Sequence, residues 1–241
     1  MATATTANAP AFISYHARAI RVTAVDNCGV PLTGVDAQCA SEGVISVELK
    51  ANTDKGTDID IKNGLGLIIK HIPGKPTTKG YDLTLTMTGV DPSIWGFITG
   101  NPAILDKAGN NIGGSVNMTP DGIGGFALET WGDGAFDDMD ACALGYSPST
   151  YFLVPFFNFG LPGDWKIDSG AMAATLTASS EQKSGWDVGP YQVMNSATDN
   201  TVTPVPSPLL TPIGAKELLR YFVTPIPAPD PTNGAAPIPT A

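Results

Sequence analysis

Residues 18–25, Arg18-Ala19-Ile20-Arg21-Val22-Thr23-Ala24-Val25, set Ile20, Val22 and Ala24 against Arg21, Thr23 and Val25 in strict alternation. Successive side chains of an extended chain point to opposite faces, so this two-residue period predicts a half-buried β-strand. The period recurs where Ile45, Val47 and Leu49 alternate with Ser46, Glu48 and Lys50, and where Ile59 and Ile61 alternate with Asp58, Asp60 and Lys62. Between those two runs lies Ala51-Asn52-Thr53-Asp54-Lys55-Gly56, whose turn-forming residues suit a hairpin tip. Residues 65–72 are more densely apolar and predict a buried strand, while residues 81–88 place Leu83, Leu85 and Met87 opposite threonines. Further strands are expected over 126–131, 151–157, 165–178 and 186–194. The fold class is therefore mainly β.

Only one helix start is clear early in the chain. Asp91-Pro92-Ser93 offers a capping acid followed by proline in the first turn, and Gly100 supplies the stop. A second amphipathic spacing, Ala215, Leu218, Leu219 and Phe222 after Thr211-Pro212, predicts a short helix in the C-terminal segment. Around it, ten of the 21 prolines fall in the 38 residues from Pro204 onward. A segment of that composition is expected to run as an extended arm, on a neighbour or in solvent, without a core of its own. The organisation read from these patterns is an N-terminal arm (1–17), a β domain (18–200) and a proline-rich C-terminal arm (201–241).

The chain has 241 residues with 27 Gly and 21 Pro, a density that works against long helices because both residues weaken helix interiors. Its 13 basic and 23 acidic residues leave a net charge of −10, which repels phosphate and argues against a nucleic-acid binder. The charge is unevenly spread: no Lys or Arg lies between Lys107 and Lys166, and six lysines lie from Lys50 to Lys79. Identical subunits can dock such opposite patches against one another, and contacts of that kind build rings or tubes. No apolar run is long enough to span a membrane as a helix. Residues 1–11 lack the basic start and apolar middle of a secretory signal, so synthesis in a cytoplasm is expected.

Chemistry-bearing motifs are sparse. Cys28, Cys39 and Cys142 include no Cys-x-x-Cys pair, so free thiols are expected, with a Cys28–Cys39 pairing left open if a hairpin joins them. His16 and His71 stand in unrelated contexts and read as surface or strand residues. Asp133, Asp137, Asp138 and Asp140 form a carboxylate cluster able to hold a hard cation, but their spacing does not match a calcium loop and a solvated acidic loop is the preferred reading. No catalytic constellation, cofactor motif or phosphate loop is present, so an enzyme is not expected. Many strands, few reactive groups and an acid excess point to a structural subunit whose partners are copies of itself.

An ordered series of phrases resembles a known family. These are Ile20-Arg21-Val22-Thr23-Ala24-Val25-Asp26-Asn27-Cys28-Gly29, Gly43-Val44-Ile45-Ser46-Val47, Ala51-Asn52-Thr53 and Gly89-Val90-Asp91-Pro92. Gly125-Phe126-Ala127-Leu128-Glu129-Thr130-Trp131, Tyr151-Phe152-Leu153-Val154-Pro155-Phe156 and Gly185-Trp186-Asp187-Val188-Gly189-Pro190-Tyr191 complete it. Over residues 18–195 the chain resembles the major tail proteins, or tail tube proteins, of long-tailed bacteriophages with non-contractile tails, particularly those infecting actinobacteria.

The resemblance implies a tail-tube-type β-sandwich or small barrel with one flanking helix, and hexameric rings stacked into a hollow virion tail that conducts DNA at ejection. It also implies partners: a tape measure protein in the lumen during assembly, tail terminator and distal tail proteins at the ends, and DNA in transit without specific binding. No cofactor and no membrane partner is implied. An acidic lumen would raise the energy of phosphate contact along the wall. Glu48, Asp58 and Asp60 are the lumen candidates, with an outer solvated face as the alternative. Asn52, Thr53, Asp54, Lys55 and Gly56, together with the N-terminal arm, are the ring-stacking candidates. A rival reading is a capsid-decoration or adhesin-like sandwich binding host glycans through Trp95, Trp131, Trp165 or Trp186; a metal-dependent hydrolase using the acidic loop ranks below both.

Overall fold

The computed structural model describes residues 13–89, 91–119, 124–135, 148–167, 169–170, 172–183, 185–197, 203–232 and 234–238. Strands β1 (Ile13–Val25), β2 (Gln38–Ser41), β9 (Gly125–Ala135), β10 (Ser149–Asn158) and β15 (Arg220–Thr224) form an antiparallel sheet in the order β15-β10-β9-β1-β2. Strands β3 (Val44–Asp54), β6 (Thr77–Thr88), β11 (Leu161–Lys166) and β12 (Ala173–Ser179) form a second antiparallel sheet in the order β11-β12-β6-β3. Three two-stranded ribbons complete the strands: β4 (Ile59–Lys62) with β5 (Ile68–Ile72), β7 (Ala103–Leu105) with β8 (Asn111–Gly114), and β13 (Met194–Asn195) with β14 (Pro206–Ser207). The fold is mainly β with one helix among the described residues, α1 (Pro92–Thr99).

The two larger sheets close on each other as the alternation predicts. Ile20, Val22, Phe126, Leu128, Val154 and Phe157 from the five-stranded sheet meet Val44, Leu83, Leu85, Met87, Ala174 and Leu176 from the four-stranded sheet. Ile94, Trp95 and Ile98 of α1 join this core. Its caps act as the sequence indicates: Asp91 Oδ1 accepts from the Ser93 amide at 2.7 Å, and Gly100 ends the helix at φ 66°, a left-handed value that favours glycine.

The five-stranded sheet is covered on its other face as well. Ala127, Trp131, Tyr151, Leu153 and Phe156 pack against Trp186, Tyr191, Val193, Leu209 and Ile213. The C-terminal segment, expected to run extended on a neighbour or in solvent, lies instead on its own chain's sheet. Val223 and its neighbours pair with β10 as an edge strand, and the Thr232 and Ala236 amides donate to β2 carbonyls at 3.0 and 2.8 Å. Proline-rich chain needs no core of its own here, because it lies on an apolar sheet face that would otherwise be wet. The predicted helix at 211–224 is absent. β15 occupies its second half, since Tyr221, Phe222, Val223 and Thr224 favour strands and pairing satisfies the open edge of β10.

Burial of both faces explains the polar half of β1. Arg21 and Thr23 are inside, although their alternation with Ile20 and Val22 suggests a wet face. The Arg21 guanidinium makes two bonds to the Glu129 carboxylate, Nε to Oε2 at 2.7 Å and Nη2 to Oε1 at 2.8 Å, and the Tyr151 hydroxyl donates to Glu129 at 2.5 Å. The Arg21 guanidinium also lies 3.5 Å from the centre of the Tyr191 ring, whose hydroxyl bonds Thr23. Burial works against the Arg21 charge, and the adjacent Glu129 carboxylate outweighs it, leaving the guanidinium pKa above its ordinary value. Each buried charge thus has a partner, the condition under which an ion pair inside a protein is tolerated.

Three further expectations change. β1 begins at Ile13, so residues 13–17 belong to the sheet and not to an N-terminal arm. Asn52, Thr53 and Asp54 lie inside β3, paired with Gly80, Thr78 and Thr77, and so are not a hairpin tip. In β3 a bulge between Val44 and Ser46 leaves Ile45 outside, 54% exposed, and Val44 inside. Cys28 and Cys39 are free thiols, Cys28 exposed and Cys39 buried; Cys142 lies outside the described residues.

Candidate functional site

The feature that departs most from ordinary packing grows out of β3 and β6. β12 follows β6 only as far as Asp82, opposite Ser179, whereas the β3–β6 ladder continues to Asp54 opposite Thr77. Beyond that point the two strands project as an arm that continues into β4 and β5. From Asp54 to the turn at Asn63 the arm is about 30 Å long at roughly 3.3 Å per residue.

Its base is held by a few specific contacts. The Lys79 ammonium lies 2.8 Å from Asp54, and Asp54 also accepts from the Gly56 amide at 3.0 Å. Lys79 and the Gly56 amide hold the Asp54 carboxyl below the usual carboxylate range. Gly56 (φ 75°) and Gly74 cross so closely that a Cβ on Gly74 would sit 2.6 Å from the Gly56 carbonyl carbon, and the Gly74 amide donates to Asp58 at 2.7 Å. The tip is organised by Asn63, whose side chain accepts from the Leu65 and Leu67 amides, both at 3.0 Å.

The arm carries a set of aliphatic side chains that are uncovered. Ile59, Ile61, Leu65, Leu67, Ile68, Ile69 and Ile72 are each 38–85% exposed. This corrects the expectation that residues 65–72 form a buried strand: the run extends past the sandwich, where no other described element covers it. Ile59 faces Ile72 and Ile61 faces Lys70 across the ribbon on one side, while Asp60 and the His71 Nδ1, 2.7 Å apart, share the other. An isolated two-stranded ribbon with exposed aliphatic residues is marginal in water, so this one is suited to being covered.

The predicted lumen residues separate. Asp58 and Asp60 lie on the arm, Asp58 at its base and Asp60 paired with His71, whereas Glu48 is exposed on the outer face of the four-stranded sheet. With Val47, Leu83, Leu85 and Leu176 turned inward, that outer face carries Glu48, Lys50, Asp82, Thr84, Thr86, Thr175 and Thr177, with Leu161 opposite Thr177 and Lys166 opposite Ala173 on the edge strand. It is a hydroxyl-rich surface whose exposed aliphatic residue at the edge strand is Leu161. The stacking candidates Asn52 to Gly56 gather at the base of the arm; Lys55 is exposed there. The apolar stretch that follows them reads as core in the sequence. The signals that could have placed it outside are Gly64, Gly66 and Pro73-Gly74 at its ends, and Lys62 and Lys70 within it.

Two grooves flank the sandwich. One, of about 630 Å³, opens between the sheets and is lined by Ala17, Ile45, Val47, Leu49, Phe152 and Leu219 among others. The other, of about 850 Å³, lies between the start of α1, the β7–β8 ribbon and the C-terminal segment, with Asp36, Asp91, Phe97 and Leu105 in its walls. Trp95, Trp131 and Trp186 are buried, and Trp165 is 43% exposed with Trp95 edge-on 4.7 Å away. Asp133 sits in β9 opposite Ser149, and Asp137, Asp138 and Asp140 lie outside the described residues. Among the described residues no group of three or more His, Cys, Asp or Glu is placed to hold a metal ion, and no helix is long and apolar enough to cross a membrane.

No known family model matches the chain, and no curated protein matches it.

Proposed function

We propose that this chain is a structural subunit that assembles with copies of itself, of the kind that forms the tail tube of long-tailed, non-contractile bacteriophages. The observation that carries the reading is the projecting β4–β5 arm with its seven exposed aliphatic side chains. Arm and body are different surfaces, so a contact between them is heterologous, and heterologous contacts close into rings or run on into filaments. Rings of six, stacked into a virion tail, are the assembly that the phrases over residues 18–195 favour.

In that assembly the outer face of the four-stranded sheet is the better candidate for the wall of a conduit. Its threonines and the Glu48 and Asp82 carboxylates, with Lys50 set directly opposite Asp82 and Lys166 on the edge strand, offer DNA no continuous cationic ladder, and the net charge of −10 keeps phosphate contact unfavourable. Glu48 is retained as a lumen candidate, while Asp58 and Asp60 belong with the arm and its contacts. Tape measure, terminator and distal tail proteins are the heterologous partners that such a tube requires.

Light scattering after size exclusion, with negative-stain microscopy of the purified full chain, tests the proposal. Rings or tubes that form with rising concentration are expected. A monomer at every accessible concentration that retains host glycans would overturn it in favour of an adhesin-like module using the half-exposed Trp165.

A further inference from the structure

The arm and the α1 groove sit at opposite ends of one strand. β6 receives the arm at Thr77 and delivers the chain toward α1 after Thr88, so about 35–40 Å of extended strand separates them. Their charges are opposite. Residues 50–79 hold six lysines and three aspartates in a chain whose net charge is −10. Asp54 takes Lys79 and Asp60 takes His71, so Lys62 and Lys70, which flank the tip, have no carboxylate partner among the described residues.

The groove has the complementary character. Its lining contains Asp36 and Asp91 and no Lys or Arg, together with Phe97 and Leu105. Asp36 is exposed, and Asp91 Oδ2 has only the Cys39 thiol, at 3.6 Å, as its described side-chain partner. Leu105 is 59% exposed on the groove side of the molecule's second ribbon, and the tip leucines Leu65 and Leu67 are 85% and 63% exposed.

Resting on the self-assembly reading, we propose that the arm of one copy seats in the α1 groove of the next. Leu65 and Leu67 cover Phe97 and Leu105, and Lys62 and Lys70 answer Asp36 and Asp91. Because donor and acceptor surfaces lie at opposite ends of β6, each seated copy presents a fresh arm, and the contact propagates head to tail.

Zero-length carbodiimide coupling of a mixture of ordinary and ¹⁵N-labelled full-length protein, under conditions where microscopy shows assemblies, tests the contact. Mixed-isotope peptides joining Lys62 or Lys70 to Asp36 or Asp91 are expected. Assemblies whose mixed-isotope crosslinks join these lysines only to other carboxylates would overturn the docking and leave self-assembly standing. A chain that neither assembles nor crosslinks between copies would overturn both. The double variant Lys62→Glu, Lys70→Glu should raise the concentration needed for assembly at least tenfold, with an unchanged circular dichroism spectrum. Adding Asp36→Lys should return it to within about threefold. Unchanged assembly in the double variant, or loss without rescue in the triple, would refute the pairing.

Discussion

Replacing Ile59, Ile61, Ile69 and Ile72 with threonine leaves the arm's β-branched strand character in place and removes its apolar surface. These four residues are 55%, 44%, 67% and 38% exposed, so about half of each is free to be covered on assembly. An Ile→Thr change gives up two carbon groups, about 1.6 kcal/mol at roughly 0.8 kcal/mol per group, and half of that, about 0.8 kcal/mol, is available at each site. Four sites give about 3 kcal/mol per contact, or roughly a hundredfold in the contact constant. The monomer should barely notice, because exposed substitutions away from the core stay within about 0.5 kcal/mol each. Sedimentation across a dilution series reads the assembly threshold, and a thermal melt of the dilute monomer reads the fold. An assembly threshold unmoved by the fourfold variant would refute the arm as a contact surface, while a collapsed melt would refute its independence from the core.

Five other outcomes follow from particular contacts. Arg21→Ala leaves the Glu129 carboxylate buried without its guanidinium, so unfolding should become easier by about 3–5 kcal/mol in a denaturant titration. Truncation after residue 203 removes Leu209, Ile213 and Phe222 from the cover over Trp131, Tyr151 and Phe156, leaving Trp186, Tyr191 and Val193, and should give a chain that binds a hydrophobic dye and melts less cooperatively. Gly74→Val places a Cβ against Gly56, so hydrogen exchange should quicken across 54–77 while β9 and β10 keep their protection. Burial pushes the Cys39 thiol up to about 12 and the Tyr151 hydroxyl above its ordinary value. Folding therefore holds these protons more tightly than the unfolded chain does, and stability should be full below about pH 9 and fall as pH rises from there toward 12. Site-resolved alkylation of the native protein at pH 8 should modify Cys28 and spare Cys39.

Where one strand face is wet and the other dry, the periodicity of the chain speaks clearly. The alternation in β6 places Leu83, Leu85 and Met87 inside, and the Asp91-Pro92 start and Gly100 stop bound α1. The same alternation in β1 misleads about Arg21 and Thr23, because their face is covered by residues some 170 positions later and Glu129 lies 108 residues away. Local pattern carries no information about a partner at that separation. Composition misleads at the C-terminus for a related reason: prolines forbid a self-contained core, but they do not prevent Leu209 and Ile213 from filling one made by the sheet. The arm is the converse case. Its isoleucines look like core because hydrophobicity marks what is suited to burial, and it does not distinguish burial within a chain from burial between chains. For the candidate site, the turn-forming residues Asn52 to Gly56 mark the base of the arm, while the exposed aliphatic run that follows them looks like core in the sequence.

The strength of the arm fits a subunit that must wait before it polymerises. Together the seven exposed aliphatic residues amount to about four complete side chains, worth roughly 6–12 kcal/mol if fully covered. Association of two free copies costs an estimated 4–15 kcal/mol in lost motion before any side-chain ordering. A single arm contact is therefore weak on balance, and two copies alone should separate readily. A third copy held by two contacts meets the second at high effective concentration and does not incur the full cost again. In the proposed assembly, growth is thus favourable where an incoming copy can seat its own arm in one neighbour and receive the arm of another. Making the arm greasier, for example by Lys62→Leu with Lys70→Leu, should remove that threshold and give spontaneous, irregular aggregates in place of ordered assemblies. Ordered tubes of unchanged concentration dependence from that variant would show that the delay has another source.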